Sequence, residues 1–518
     1  MYVLGDVIRK GATVFPEKVA MVFEGRQRTY REMDYRVNRF ANALNKLGCK
    51  KGDRLAILSE NNDKYVEIYF AAAKLGMSVV PLNFRLSDRE LIHIVNDSEA
   101  IIYIAGEGFE ERSFRIKSEL KNIKHWIILE DKFKTSETFI FEELIESSDS
   151  DDPLVDVDEN EMVILMYTGG TTGVPKGVML SHRNILTSAL GWIICCSFTR
   201  HDTTCFILPL FHIALWPVIC LLMVGGRVVI CRRPEIEKIL QLIENEKCTH
   251  INLVPTLLGW ILEHPTLNKF DLSSLRLITY AGSPIAPEVL KKAIKKFGNI
   301  FAQGYGLTEA APLVTFLFPE DHILEGEKAK RLVSAGRPNP MTEVKVVDEN
   351  DKAVKPGEVG EIVARGKNIM EGYWKQPELT KETLKGGWLH TGDVGKFDED
   401  GYIYLLDRKA DMIVTGGENV YPKETEDILY EHPSVQECVV VSAPDEKWGE
   451  RVQAVVVLKK GHIATEEELI NYCKSKLAGY KCPKKIEFWE SLPKTPVGKI
   501  LRREVKKHFW QGKERTIS

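Results

Sequence analysis

A loop rich in glycine and threonine is the strongest chemical signal in the sequence. Residues 167–177 read YTGGTTGVPKG, and the apolar run MVILMY leads into them. The glycines let the backbone turn tightly and approach a ligand closely, while hydroxyls and Lys176 supply donors and positive charge. A Walker A motif needs Gly-Lys-Ser or Gly-Lys-Thr, whereas here Pro175 precedes Lys176 and Gly177 follows it. Four glycines, three threonines and a lysine in eleven residues favour a polyphosphate-binding loop over a plain surface turn.

Three shorter motifs carry further groups of this kind: GYGLTE at 304–309, WLHTGD at 388–393 with YLLDR at 404–408, and PKTPVGKI at 493–500. The Tyr305 ring can stack on a base, and the Glu309 carboxylate can hold Mg²⁺. A carboxylate after a glycine can accept ribose hydroxyls, and an arginine can reach phosphate. Taken singly, each motif also fits a simple turn or a solvated lysine.

Alternating apolar and helical segments must position these motifs. Apolar runs that predict buried strands lie at 54–60, 77–83, 100–105 and 125–130. Between them, apolar residues recur at helical spacing, which predicts an α/β fold with largely parallel sheets. After about residue 340, alternating polarity and turn residues predict a β-rich subdomain, and a lysine-rich α+β segment follows. We therefore expect a large N-terminal domain over 1–407 and a small, mobile C-terminal domain over 408–518.

Composition excludes several classes of protein. The 518 residues are 44% apolar and 28% charged, which is ordinary globular composition, and the net charge of −4 gives no sign of a nucleic-acid binder. The ten cysteines form no CxxC pair, which predicts reduced core thiols and a cytoplasmic location. The acidic segment 146–161 has eight acidic and no basic residues and reads as a solvated connector.

One uncharged stretch, 203–226, is long enough to suggest a membrane span. Pro209, His212 and Pro217 interrupt any single helix there, so a buried strand, loop and helix is the preferred interpretation.

In this order, the four motifs resemble the adenylate-forming superfamily of acyl-CoA synthetases, peptide-synthetase adenylation domains and luciferases. The similarity runs from about residue 15 to 517, and GGTTG in the loop looks most like the fatty acyl-CoA synthetase branch. Further matching pieces are LPLFH at 208–212, AGSP at 281–284, GEIVARG at 360–366, GY at 372–373 and GGENVYP at 416–422.

The resemblance implies a reaction and a set of ligands. Members join a carboxylate to AMP, release pyrophosphate and pass the acyl group to a thiol, commonly that of CoA. ATP, Mg²⁺ and the co-substrate CoA are therefore expected, with Mg²⁺ on Thr168 and Glu309. The ATP- and AMP-binding residues implied in this way are Thr168, Gly169, Gly170, Thr171, Thr172, Gly173, Lys176, Gly282, Ser283, Gly304, Tyr305, Gly306, Thr308, Asp393 and Arg408.

The remaining roles follow from the same resemblance. Lys499 is expected to be the catalytic lysine of adenylation, with Glu309 and His212 as the other catalytic residues. Ala410 stands at the hinge, where relatives usually carry Asp or Lys. The acyl pocket is assigned to His212, Trp216 and Val254, and the CoA site to Gly416, Gly417, Glu418 and Trp448.

The expected function is that of an ATP-dependent acyl-CoA synthetase for an apolar carboxylic acid. No Asp stands near His212 to hold an amino group, and a medium- or long-chain fatty acid is favoured. Alternatives are an aryl or alicyclic carboxylate–CoA ligase, an acyl-AMP ligase that loads a carrier protein, and a non-catalytic binding protein. The expected partners are small molecules, without nucleic acid or a transmembrane span; peripheral membrane contact and a homodimer stay open.

Overall fold

A computed structural model describes residues 2–131, 134–168, 175–283, 285, 287–408, 411–415, 418–445, 448–494 and 500–511, with the backbone alone at 407, 408, 418, 419 and 449. The α-helices of this part of the chain are α1 Asp6–Val14, α2 Tyr30–Lys46, α3 Asp63–Lys74, α4 Asp88–Asp97, α5 Glu110–Ile116, α6 Phe141–Glu146, α7 His182–Cys196, α8 Trp216–Met223, α9 Ile236–Glu246, α10 Pro255–Glu263, α11 Pro287–Phe297, α12 Pro377–Thr383, α13 Pro422–Glu431, α14 Glu466–Lys474 and α15 Arg502–Trp510.

The strands of the same residues are β1 Val19–Phe23, β2 Arg26–Thr29, β3 Arg54–Leu58, β4 Ser78–Leu82, β5 Ile102–Ala105, β6 His125–Ile128, β7 Thr138–Ile140, β8 Met162–Thr168, β9 Lys176–Ser181, β10 Thr203–Phe206, β11 Arg227–Ile230, β12 His250–Leu253, β13 Leu277–Ala281, β14 Phe301–Tyr305, β15 Thr315–Leu317, β16 Arg337–Pro338, β17 Thr342–Val347, β18 Gly360–Gly366, β19 Gly372–Tyr373, β20 Leu389–Phe397, β21 Ile403–Arg408, β22 Ile413–Thr415, β23 Glu418–Val420, β24 Val435–Asp445, β25 Gly449–Leu458 and β26 Lys485–Phe488.

Two large sheets build the N-terminal part. The described strands of the first run in the order β16-β15-β14-β13-β12-β10-β11-β1-β2, and those of the second in the order β19-β9-β8-β4-β3-β5-β6-β7. The central pairs of both sheets are parallel, as the continuous apolar runs predict, since strands covered on both faces need no polar side. Antiparallel strands stand at the edges, including β9 beside β8 and β15 beside β14.

Helices α2, α3, α7 and α8 share one core with side chains from both large sheets. Every residue of α3 is buried, including its charged side chains, which have charged partners. Glu67 accepts from Arg36 at 2.7 Å, and the Lys74 ammonium donates to Asp34 at 2.7 Å and to Asp152 at 2.8 Å. Helices α4 and α5 cover the outer face of the second sheet, and α9, α10 and α11 that of the first. The result is a layered α/β domain.

A four-stranded antiparallel sheet, β17-β18-β20-β21, follows, and a further sheet of β22 to β26 packs on α13, α14 and α15. The predicted fold class, a large α/β domain with a β-rich part and a smaller α+β C-terminal domain, is confirmed. The boundary between 407 and 408 and the mobility of the second domain stay predictions.

Segment 203–226 forms β10, a short 3₁₀ helix over Ile213–Leu215 and α8, as expected of a buried strand, loop and helix. None of the helices that the structure describes is both long enough and apolar enough to cross a membrane.

The acidic connector differs most from its prediction at Asp152. Asp152 is not simply solvated, because it accepts from Arg9 at 2.7 Å and from buried Lys74. Burial raises the pKa of Asp152, but these donors and the Leu154 N–H outweigh it and hold that pKa well below its ordinary value. The connector is therefore fixed to α1 and α3 by ion pairs that its sequence pattern did not indicate.

Candidate active site

The aromatic ring and the carboxylate predicted for the nucleoside meet at the end of β14. Tyr305 ends that strand, and Asp393 lies in β20 after Gly392, whose φ is +70°. The Tyr305 hydroxyl donates to Oδ2 of Asp393 at 2.7 Å, and both residues are buried. The Asp393 N–H donates to Oγ1 of Thr391 at 3.1 Å. An oriented carboxylate thus stands at the hydroxyl end of an aromatic ring, which suits a ribose and its base.

A second cluster gathers where the predicted phosphate loop begins and ends. Thr168 and Lys176 are paired directly across β8 and β9. The Lys176 ammonium lies 5.6 Å from the centre of the Tyr373 ring, and the Tyr373 hydroxyl donates to Oε1 of Glu309 at 2.8 Å. Strand β19, which contains Tyr373, pairs with β9. A cation over the ring and a carboxylate at the hydroxyl thus contact the same tyrosine.

This cluster fits Mg²⁺ by its donor chemistry. Mg²⁺ is usually held by one or two carboxylates together with substrate phosphates and water. Glu309 offers a carboxylate and Thr168 a hydroxyl. Within the residues that the structure describes, no group of three or more His, Cys, Asp or Glu side chains could hold a metal ion. The arrangement suits a metal that arrives with a phosphate ligand.

The carboxyl ends of β12, β13 and β14 bring five predicted positions together. Ala281 pairs with Gly304 across β13 and β14, so Gly282 and Ser283 follow β13 beside Tyr305. Gly282 has φ +89°, a region that favours glycine. A Cβ on Gly282 would lie 4.0 Å from Val254, which follows β12. In parallel sheets, such carboxyl ends are where ligands bind.

The turn after β14 requires a glycine. A Cβ on Gly306 would lie 1.4 Å from the carbonyl oxygen of Pro312, so the two backbone segments touch. Thr308 and Glu309 then form a short 3₁₀ helix over Thr308–Ala310, in which Thr308 is buried. Close backbone contact therefore fixes where Glu309 stands.

His212 lies at the surface and is not a core histidine. It precedes the 3₁₀ helix Ile213–Leu215, and its Nδ1 accepts from the Ala214 N–H at 3.1 Å. Asn61 fixes the main chain just before His212. Asn61 donates to the Leu208 carbonyl at 2.9 Å and accepts from the Leu210 N–H at 2.8 Å. The sequence motifs did not reveal Asn61, whose partners lie 147 and 149 residues away in the chain.

Trp216, predicted in the acyl pocket, is buried and stacks on Trp192 with ring centroids 3.7 Å apart and ring planes 5° apart. Trp192 on α7 was not predicted as a site residue. A helical run of apolar residues gives no signal that separates it from ordinary core.

A buried histidine supports β13 from behind. Burial lowers the pKa of His322 to about 4, so the ring is neutral. The Phe318 carbonyl lies 2.8 Å from Nδ1 and can only accept, so Nδ1 carries the proton and Nε2 accepts from the Tyr280 hydroxyl at 3.0 Å. This pair fixes the strand that ends at Ala281.

Several predicted residues have incomplete or no structural description. Arg408 is paired with Asp393 through the backbones of β20 and β21, and Glu418 begins β23. Trp448 is half-exposed, and its backbone N–H donates to Oδ1 of Asp445 at 3.0 Å. The predicted positions outside the described residues are Gly169, Gly170, Thr171, Thr172, Gly173, Ala410, Gly416, Gly417 and Lys499.

Comparison with known proteins agrees with this geometry. A family described as AMP-binding enzyme matches residues 8–374, and the AMP-binding enzyme C-terminal domain matches 424–499. A feruloyl-CoA synthase of Amycolatopsis is 38% identical over 98% of this chain and 99% of that protein. A long-chain-fatty-acid–CoA ligase of Salmonella typhimurium is 35% identical over 97% of this chain and 94% of that protein. An anthranilate CoA ligase solved with anthranoyl-AMP has a TM-score of 0.89 and 28% identity, covering 98% of this chain and 97% of its own.

The family match spans most of the N-terminal part, and the two relatives extend the similarity over nearly the whole chain. The chain belongs to the AMP-binding enzyme family, in the acyl-CoA synthetase branch of the adenylate-forming superfamily, and is an AMP-forming acid–thiol ligase.

Proposed function

We propose that this enzyme joins an apolar carboxylic acid to the α-phosphate of ATP, releases pyrophosphate and transfers the acyl group to CoA. The observation that carries the proposal is the pair of clusters at the sheet ends. Tyr305 and Asp393 suit a nucleoside, and Lys176 with Glu309 suits phosphates and their cation. Relatives named as CoA synthases and CoA ligases support the thiol acceptor.

The first step needs charge stabilisation more than proton transfer. The substrate carboxylate is already ionised at pH 7, so no general base is required. Its oxygen attacks the α-phosphorus, and pyrophosphate leaves with the electron pair of the broken P–O bond. We assign Lys499 to the charge that grows on the transferring oxygens, because an ammonium aimed at those oxygens stabilises the transition state most. Mg²⁺, when bound, would neutralise phosphate charge beside Glu309 and Thr168.

We assign the nucleotide contacts in the same way. Asp393 would accept the ribose hydroxyls, and adenine would lie between Tyr305 and the 281–283 segment. Thr308 would donate to the α-phosphate, Arg408 to ribose or phosphate, and the loop from Thr168 to Lys176 to the β- and γ-phosphates. Close packing around Gly304 and Gly306 keeps this edge of the sheet in place.

The second step is assigned to a different face. After adenylation, the C-terminal domain would pivot at Ala410 and carry Lys499 away from the phosphate. Gly416, Gly417, Glu418 and Trp448 would then line the path of the CoA thiol. The thiol gives up its proton to solvent, and its sulfur attacks the acyl carbon. The bond from that carbon to the phosphate oxygen breaks, and AMP leaves with this oxygen and the electron pair of the bond.

The acyl group is proposed to lie between His212, Val254 and Trp216. The sequence alone favours a medium- or long-chain fatty acid. One observation favours the second candidate, an aryl or alicyclic acid: Trp216 is buried and stacks flat on Trp192, which suits a short, flat acid better than a long chain.

A panel of acids tests the proposal. Acids from C2 to C18, benzoate, cinnamate and cyclohexanecarboxylate would be incubated with ATP, Mg²⁺ and CoA, and AMP and thioester measured by mass. We expect equal amounts of AMP and thioester from at least one acid. Acyl-AMP without thioester would indicate a carrier-protein thiol instead, and turnover of no acid would contradict the proposal.

Lys499→Ala tests the assigned lysine. We expect adenylation to fall by about 10²-fold or more, as when one transition-state donor is lost, while ATP still binds. The matched control is Lys494→Ala on the same segment, because Lys494 pairs with Glu437 and should not matter for the chemistry. Equal adenylation by the two variants would refute the role of Lys499.

A further inference from the structure

Trp192 fills the space behind Gly304. Gly304 precedes Tyr305 in β14 and pairs with Ala281 and Phe316 in the neighbouring strands. A Cβ on Gly304 would lie 2.2 Å from Cη2 of Trp192, far inside any normal contact. The Trp192 side chain is only 2% exposed. The indole ring therefore occupies the space that a side chain at Gly304 would need, and a substrate that passed Tyr305 on this side would meet it.

The indole is held by a rigid stack. Trp216 lies flat against Trp192. On β12, the His250 ring has its centroid 5.7 Å from that of Trp216. His250 is bonded at both ring nitrogens, to the hydroxyls of Thr204 and Thr279, each at 2.9 Å. Moving Trp216 towards His250 would break these bonds in the middle of the sheet. The Trp192 ring, which we call the end wall of the acyl pocket, is thus supported by neighbouring strands as well as by α7.

Two polar atoms at this wall have no partner in the part of the chain that the structure describes. They are Nε1 of Trp192 and Oγ of Ser188, one helical turn apart on α7, and both are buried. A buried donor without an acceptor costs stability, so such groups are rare in native proteins and call for an explanation. A substrate oxygen that reached the wall would supply the missing acceptor.

We propose that Trp192 determines the substrate specificity of this ligase. Its ring closes the acyl pocket behind Gly304, and its N–H binds an oxygen at the far end of the acid. The inference rests on the proposed function, since it deepens the identity of the acid that is activated. The substrate class is a compact aryl carboxylic acid with a ring hydroxyl or alkoxy group, and a long alkyl chain is excluded by lack of room.

The test compares kcat/KM for four acids: 4-hydroxycinnamate, cinnamate, octanoate and palmitate. In the wild type, we expect kcat/KM for 4-hydroxycinnamate to exceed that for cinnamate by about 10-fold, the value of one hydrogen bond to a buried donor. Palmitate should be about 100-fold poorer than 4-hydroxycinnamate, as for an acid that the pocket cannot hold. Trp192→Ala should raise kcat/KM for palmitate by about 10-fold or more and abolish the preference for the ring hydroxyl. Both effects are expected because the variant lacks the indole ring that closes the pocket and the N–H that binds the oxygen.

Trp192→Phe separates the two roles. It keeps a ring behind Gly304 without the N–H. We therefore expect kcat/KM for palmitate to stay low while the preference for the ring hydroxyl disappears. The matched control is Trp489→Phe in the C-terminal region, whose Nε1 donates to Glu487 at 3.1 Å; its acid profile should equal that of the wild type.

The outcomes distinguish the two proposals. If the wild type releases AMP from none of the acids tested, the proposed function itself is overturned. If the wild type is active but its kcat/KM for palmitate equals that for 4-hydroxycinnamate, the specificity inference alone is overturned. If Trp192→Ala does not fold, Trp192→Phe decides: a retained hydroxyl preference rules out the N–H role.

Discussion

At the scale of single residues, the pair Tyr305 and Asp393 makes the sharpest prediction for nucleotide binding. Asp393→Asn keeps an acceptor for the Tyr305 hydroxyl, now 2.7 Å away, but removes the negative charge offered to the ribose. We expect kcat/KM for ATP to fall by about 10- to 100-fold, the value of hydrogen bonds to a charged group. Pyrophosphate exchange at varied ATP measures it.

Tyr305→Phe is the comparison for that variant. The ring face remains and only the hydroxyl is lost, so we expect a fall of less than about 10-fold, as for one neutral hydrogen bond. A fall as large as that of Asp393→Asn would show that the hydroxyl, and not the carboxylate, carries the interaction.

The site residues that sequence could predict stand in short motifs whose residue types and spacing already point to a ligand. Tyr305 and Glu309 stand in one hexapeptide, and Thr168 and Lys176 flank one loop. Asn61 and Trp192 could not be found, because their roles depend on partners that only the fold brings close: the Leu208 carbonyl for Asn61 and Gly304 for Trp192.

At the scale of elements, the turn after β14 is the most constrained part of the site. Gly306→Ala would drive a methyl group into the Pro312 carbonyl, 1.4 Å from the ideal Cβ. The turn must move to relieve this, and Glu309 moves with it. We expect adenylation to fall by about 10²-fold, as when a positioned transition-state group is misplaced, together with a lower melting temperature.

Gly259→Ala is the matched control for that change. Gly259 lies inside α10, and a Cβ there meets nothing within 4 Å. Alanine favours helix by about 1 kcal/mol over glycine, so this variant should be equally active and slightly more stable. Loss of activity in both variants would mean that the turn is not specially constrained.

Elements with continuous apolar runs were predictable, because a parallel strand covered on both faces has no polar side. The runs at 54–60 and 77–83 became β3 and β4. The acidic connector was harder, since its composition indicates solvation while the ion pairs of Asp152 depend on where α1 and α3 lie.

At the scale of the whole molecule, three buried histidines tie stability to pH. Burial lowers the pKa of His182 and His322 to about 4 and that of His250 to about 3. All three belong to the large domain, in α7, in β12 and after β15, so their protonation bears on the layers that hold the site.

The sign of the effect follows from these lowered values. Above pH 6.5, histidine is neutral in both the folded and the unfolded chain and contributes nothing. Below pH 6.5, the unfolded chain binds protons that the folded chain refuses, so stability falls until the folded values near 4 are reached. At pH 5.5, each histidine should remove about 1.4 kcal/mol relative to high pH.

Urea unfolding at pH 7.5 and 5.5 measures this loss. His322→Gln keeps an acceptor for the Tyr280 hydroxyl but cannot be protonated, so the loss on acidification should shrink by about 1.4 kcal/mol. His201→Gln is the control for the substitution itself, because His201 is exposed. If His322→Gln loses as much stability as the wild type between these two pH values, buried neutral histidines do not set the acid sensitivity of the large domain.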